Sequence, residues 1–308
     1  MTSHHQHNPQ SACNELKGLA LWQLQTGLTA AERRDVLGLL LEGKQGQQHF
    51  KNPNPIATHL ETSRKRLASR LDSSEKCTST LATHHSIIGI DQLITKHGKP
   101  PVKGAPLALS FRGCASAFGK PSVAIIGSRM PTFQGRCLAR QFATAFAQEG
   151  IFIWSGGAIG IDTVALKGGL DRDGAPGVFG SRAGAVLGSG LGQLYPPSNR
   201  SLFLSDGITL VSEFPLGQRA QQWCFPARNF TLAWLADYIL VIESQCNSGS
   251  LITTDCAAHL GKGVGAVVWP ANHPLGAGNQ TLIMAGADAI FDPLDVVKKI
   301  RATIRSLP

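Results

Sequence analysis

At 308 residues the chain has room for one large domain or two ordinary ones, at ~100–200 residues each. Hydrophobic residues make up 43% and charged residues 16%, which excludes a wholly disordered chain. The formal net charge is +9, with 13 Lys+Arg against 8 Asp+Glu in residues 1–110 and 16 against 12 in residues 111–308, a balance that favours a polyanionic partner.

No apolar run approaches the ~18–20 residues of a membrane span. Met1–Ala12 is rich in His and Gln and lacks a basic-then-apolar leader, so a cytoplasmic protein with no membrane partner is expected. Seven cysteines, none in a C-x-x-C pair, read as reduced thiols rather than a disulfide framework or a zinc site. His4, His5 and His7 read as a polar tail, so no metal and no cofactor is expected.

Residues 1–104 are expected to form an N-terminal helical region with polar linkers. Leu16–Leu41 reads as a helical pair, with Thr29 and Glu32 at capping-box spacing. Residues 42–59, with two Asn-Pro steps, read as a loop, and Leu60–Leu71 as a short basic helix.

From residue 105 the pattern becomes regular. Strands are expected at Ser122–Ile126, Ile151–Trp154, Ala183–Leu187, Ile208–Val211, Tyr238–Ile242 and Val264–Val268. Helices are expected at Gly135–Gln148, Gly160–Leu170, Ser198–Leu204, Leu251–Leu260 and Pro293–Ile304. Strands apolar on both faces and alternating with helices imply a parallel sheet covered on both sides. The expected fold of residues 105–308 is therefore α/β, a Rossmann-like doubly wound, mostly parallel sheet.

In such a sheet, ligands bind beyond the carboxyl ends of the strands. Four loops there are rich in glycine and small polar residues: Gly127-Ser128-Arg129, Ser155–Asp162 with Gly156, Gly157 and Gly160, Gly188–Gly192 with Gly190, and Asn247–Thr253 with Ser248, Gly249 and Ser250. Glycine lets a backbone approach an anion, helix N-termini present N–H groups to it, and the Arg129 guanidinium can fork onto phosphate. A side chain placed at Gly157 or Gly249 should then block the anion.

There is no G-x-x-x-x-G-K-[ST] phosphate loop and no G-x-G-x-x-G after the first strand. Glu213 and Glu243, each just after a strand, are candidates either for paired acid/base work or for hydrogen bonds with loop backbone. With only His259 and His273 in this half, a histidine-centred triad is disfavoured.

The order of these motifs resembles the DNA-processing protein A family (DprA, also called Smf) over about residues 105–292. The matching segments are Val123–Arg129, Ser155–Asp162, Val186–Leu191 with Tyr195-Pro196 and Asn199, Ser212–Pro215, Phe225–Asn229, Ser248–Thr253, and Leu282-Ile283 with Gly286-Ala287. The resemblance implies a non-enzymatic protein that binds single-stranded DNA, protects incoming DNA in natural transformation, helps load the RecA recombinase and acts as a homodimer. It adds Arg228 and Asn229 to the candidate DNA contacts, beside Gly127, Ser128, Arg129, Ser155 and Thr253. Tyr195, Trp223 and Phe225, expected in loops, are candidate base-stacking residues. The usual Ala-His of the family is Ala165-Leu166 here, and the usual Arg-Asn-Arg is Arg228-Asn229-Phe230. A nucleotide-processing enzyme or a nucleotide sensor on the same fold is the alternative.

Overall fold

The computed structural model describes residues 86–99, 102, 104–171, 182–246 and 248–305. The helical pair and the basic helix expected within residues 16–71 lie outside the described residues. The strands are β1 Ser86–Gly89, β2 Ala108–Arg112, β3 Ser122–Ile126, β4 Phe152–Ser155, β5 Ala183–Val186, β6 Ile208–Ser212, β7 Tyr238–Val241, β8 Gly263–Val267 and β9 Asp288–Ile290. The helices are α1 Ile90–Thr95, α2 Phe133–Gln148, α3 Ile161–Leu170, α4 Arg200–Phe203, α5 Cys224–Leu235, α6 Gly249–His259, α7 Ala277–Met284 and α8 Pro293–Arg305.

One nine-stranded sheet results, in the order β1-β2-β6-β5-β4-β3-β7-β8-β9. The seven strands from β6 to β9 run parallel; β2 is antiparallel to β6, and β1 to β2. The expected doubly wound α/β sheet is present.

Alternation along the central strands feeds two cores. Val123 and Ile125 of β3 join Phe142 and Phe146 of α2, Leu166 of α3 and Ile300 of α8. Ala124 and Ile126 face the other way, with Trp154, Leu232 and Trp234. A period of two with both faces buried is what a parallel sheet under helices demands. The C-terminus of α5 is closed by two lysines: Lys99 donates to the Leu235 carbonyl (2.6 Å), and Lys262 donates to the carbonyls of Trp234 (2.8 Å) and Ala236. These ammonium groups satisfy carbonyls that no longer have an intrahelical donor.

Four differences from the sequence reading matter. The sheet begins before residue 105: β1 pairs with β2, and Ile90 and Leu93 of α1 enter the same core as Trp154, so residues 86–95 are a strand and a helix on this sheet. Val264–Val268 is not the last strand, because β9 pairs with β8 beyond it. Segments of three or four residues such as β1 and β9 carry too few alternations to stand out. Helix α5 replaces an expected loop: Pro226 sits in its first turn, where the missing N–H costs nothing. Phe225 is therefore a helical residue. Helix α7 was likewise not expected.

Among the described residues, no helix is long and apolar enough to cross a membrane.

Candidate functional site

Strand β3 lies between β4 and β7, and the chain reaches β7 only after building β4, β5 and β6 outward on the other side. The boundary between β3 and β7 is thus the topological switch point, where the loops leaving the two strands diverge and open a crevice. Two backbone hydrogen bonds fix its floor: Ser128 N–H donates to the Glu243 carbonyl (2.7 Å), and Ile161 N–H donates to the Ser128 carbonyl (3.0 Å). Gly127 and Gly160 permit this approach. A Cβ at Gly127 would stand 2.8 Å from the Glu243 carbonyl, and one at Gly160 (φ +87°) would meet the backbone of Ser128 and Arg129.

The crevice is a cleft of about 500 Å³. The structure brings ten of the fifteen candidate residues to its lining: Gly127, Ser128, Arg129, Gly156, Arg228, Asn229, Ser248, Gly249, Ser250 and Thr253. Phe225 lines it as well, with Arg129 5.8 Å and Arg228 5.9 Å from its ring centroid. Tyr195, 46% exposed, has its ring 6.0 Å from that of Phe225.

The other five candidates build the loops. The Ser155 hydroxyl donates to the Ile125 carbonyl (2.7 Å), tying β4 to β3. Gly157, at φ +68°, offers its carbonyl to the Asn199 amide (3.0 Å) and packs on Phe203. Gly160 makes room for the loop after β3. Gly188 lies under the Phe225 ring, and Gly190 against the carbonyl of Pro215.

Arg228 and Asp162 are the buried charges of the cleft, both 6% exposed. Arg228 Nη1 donates to the carbonyls of Gly156 and Val186 (the latter at 3.2 Å), and its Nε has no hydrogen-bond partner. Asp162, in the first turn of α3, accepts from the Ala158 N–H at 3.2 Å. Burial pushes its carboxyl up to about 6, against the opposing pull of Arg228, the Ala158 N–H, Arg129 and Ser155. Burial likewise lowers Arg228, with Asp162 pulling the other way. Neither is among the ion pairs within 4.0 Å formed by the described residues. Ser248 and Ser250 also line the cleft, and their hydroxyls form a collar with that of Ser244 at the start of α6, with O···O distances of 2.7 Å (Ser244–Ser248), 3.1 Å (Ser244–Ser250) and 2.5 Å (Ser248–Ser250). Donors therefore converge from α5, from the loop after β3 and from the positive end of α6.

Glu213 and Glu243 are not a catalytic pair. They end β6 and β7, which are four strand spacings apart, roughly 19 Å at ~4.8 Å per spacing. Glu243 is fully buried and accepts from the Thr132 N–H (2.9 Å), the Thr132 hydroxyl and His273 Nε2 (2.7 Å). Thr132 in turn caps α2 through the Gly135 N–H (3.0 Å). Glu213 accepts from the Thr231 hydroxyl at 2.8 Å. Both carboxylates are thus committed to holding loops and helices.

Asp162, the last residue of the second candidate loop and not among the candidate contacts, also lines the cleft. Gln245 and Met130, which line the cleft, lie outside the four candidate loops, and Ile252 lies within the fourth without being singled out.

Fold and site together define a Rossmann-like α/β protein with a cleft at its switch point lined by two arginines, serine hydroxyls and glycine backbone. The family model for DNA recombination-mediator protein A matches residues 94–301, and the chain belongs to this DprA/Smf family. It is 34% identical over 206 residues to protein Smf of Escherichia coli, covering 66% of this chain and 53% of that protein. It is 32% identical over 195 residues to the DNA processing protein DprA of Streptococcus pneumoniae, covering 63% and 66%. The chain thus spans about half to two thirds of the length of these relatives. The X-ray structure of DprA from Streptococcus pneumoniae superposes with a TM-score of 0.72 at 26% identity, over 91% of this chain and 97% of that one. DNA processing protein A from Helicobacter pylori, a structure concerned with its single-stranded DNA binding mode, shares the fold with a TM-score of 0.56 at 24% identity, over 65% and 88%.

Proposed function

We propose that this protein binds single-stranded DNA across the carboxyl edge of the sheet, with a backbone phosphate in the switch-point cleft and bases against the exposed aromatics. The observation that carries the reading is the convergence of Arg129, Arg228 and the hydroxyl-ringed start of α6 on one cleft beside Phe225 and Tyr195. Cations and N–H donors suit the phosphate, and aromatic faces accept any base. Family membership supports the wider role: protection of incoming DNA in natural transformation and delivery to the RecA recombinase. Exposed Met284 and Phe291 (83% and 75%) flank the edge strand β9 and suit a second copy in a homodimer. Binding rather than turnover is the reading supported by the structural commitments of Glu213 and Glu243.

The test is a titration of labelled oligo-dT by fluorescence anisotropy at two salt concentrations, with competing duplex of equal nucleotide concentration. Single strands should win, and binding should weaken steeply with salt. Equal or stronger duplex binding would overturn the proposal.

A further inference from the structure

We propose that Asp162 is a charge filter in this cleft, setting its preference for the singly charged internal phosphodiester over a doubly charged terminal phosphate. The inference rests on the DNA-binding reading and deepens it. Among the described residues that line the cleft, three carry formal charge: Arg129, Arg228 and Asp162. With both arginines charged and Asp162 ionised, the side chains sum to +1, which matches one diester. A terminal phosphate monoester carries close to −2 above its second ionisation near pH ~6, and would bring excess negative charge into the cleft.

The geometry gives Asp162 this role beyond that of a helix-capping acid. A capping carboxylate on a surface helix faces water. Asp162 is instead 6% exposed, and its Oδ2 stands 2.8 Å from where a Gly156 Cβ would lie, a point that also abuts the Arg228 guanidinium. No ion pair within 4.0 Å ties Arg228 to Asp162 among the described residues, and the Arg228 Nε is unpartnered. The acid therefore lowers the potential of the cleft without occupying the donor. The groups facing it are Arg228 from α5, Arg129 from the loop after β3, the Ser155 hydroxyl from β4 and the Ala158 N–H ahead of its own helix. Most of Asp162 becomes protonated between pH 8 and pH 5.5, which moves the cleft from a sum of +1 toward +2.

The experiment measures oligo-dT affinity for the wild type and Asp162→Asn at pH 8 and pH 5.5. It then compares displacement of the oligonucleotide at pH 8 by thymidine 5′-monophosphate and by its methyl ester. Neither diesters nor thymine titrate in this window. In the wild type, oligo-dT should bind about tenfold more tightly at pH 5.5 than at pH 8, as one buried charge near a phosphate requires. In Asp162→Asn, affinity should be high at both pH values, and the monophosphate should compete about tenfold better than its ester. In the wild type the ester should compete at least as well as the monophosphate. Asparagine keeps an oxygen for the Ala158 N–H, and the wild-type pH arm stands even if the variant fails to fold. Oligo-dT affinity equally pH-dependent in both proteins, or flat in the wild type, would overturn the filter while leaving DNA binding intact. A wild type that does not bind oligo-dT at either pH would overturn the DNA reading and the filter with it.

Discussion

Gly249 offers a clean separation of site from scaffold. It is the first residue of α6 and lines the cleft, its φ is not positive, and a Cβ built on it meets no atom within 4 Å. Gly249→Val therefore puts a branched side chain into open space rather than into the protein. Valine is a slightly better helix former than glycine, by a few tenths of a kcal/mol, so the melting temperature should hold or rise. The Leu251 N–H is already bonded to the Ser248 carbonyl (3.1 Å), which leaves the Gly249 and Ser250 N–H groups as the amides that open α6 toward an anion. A hydrogen bond to a charged group is worth about 1.5–3 kcal/mol. Masking two of them should cost about 3 kcal/mol of binding, a loss of roughly 150-fold at ~1.4 kcal/mol per decade. Thermal melting and oligo-dT anisotropy on the same preparation decide the matter. A Gly249→Val protein that melts like the wild type and binds within threefold of it would refute the placement of phosphate at α6.

Arg129→Ala should weaken oligo-dT binding and flatten the logarithmic salt slope by about one ion, because one phosphate contact is removed; an unchanged slope would remove Arg129 from the interface. Gly157→Val should act on stability: its φ of +68° and the Phe203 ring 3.0 Å from the new Cβ make the side chain costly, at about 2 kcal/mol or more in denaturant titration. Glu243→Ala leaves the Thr132 cap and His273 without their buried acceptor and should lower unfolding free energy by about 3 kcal/mol. Asp162 bears on stability in the opposite sense. Its folded carboxyl is raised from 3.8 to about 6, so its protonated form stabilises the fold below pH ~4 and that contribution is lost as pH rises through ~6. Asp162→Asn should consequently be more stable than the wild type at pH 7.5, by about 2–3 kcal/mol, and equal stability at that pH would contradict the buried, unpaired placement of the acid.

Several elements could be read from the chain because their determinants are local. Ser122–Ile126 was legible as a strand because five small or apolar residues, β-branched at three positions and followed by glycine, suit a strand buried on both faces. The glycine-rich turns after β3, β4 and β7 lie within a few residues of their causes. Helix α5 was hidden by Pro226, a residue that breaks helices in their interior and fits them in the first turn. Strands β1 and β9 were hidden by their brevity; their partners, not their own three or four residues, make them strands.

What the sequence determined by itself was the α/β alternation, the edge of the sheet on which chemistry could sit, and the residue types able to hold an anion there. The tertiary structure decided which of those residues meet. Gly188 and Gly190 have the same composition signal as Gly127 and Gly249, yet they serve packing against Phe225 and Pro215. Glu213 and Glu243 sit at equivalent places after their strands, yet the order β6-β5-β4-β3-β7 holds them apart. Asp162 and Arg228 are 66 residues apart in the chain and become neighbours around Gly156. The reason is physical: strand order is fixed by burial and right-handed crossovers over the whole sheet, and no short stretch of sequence encodes it.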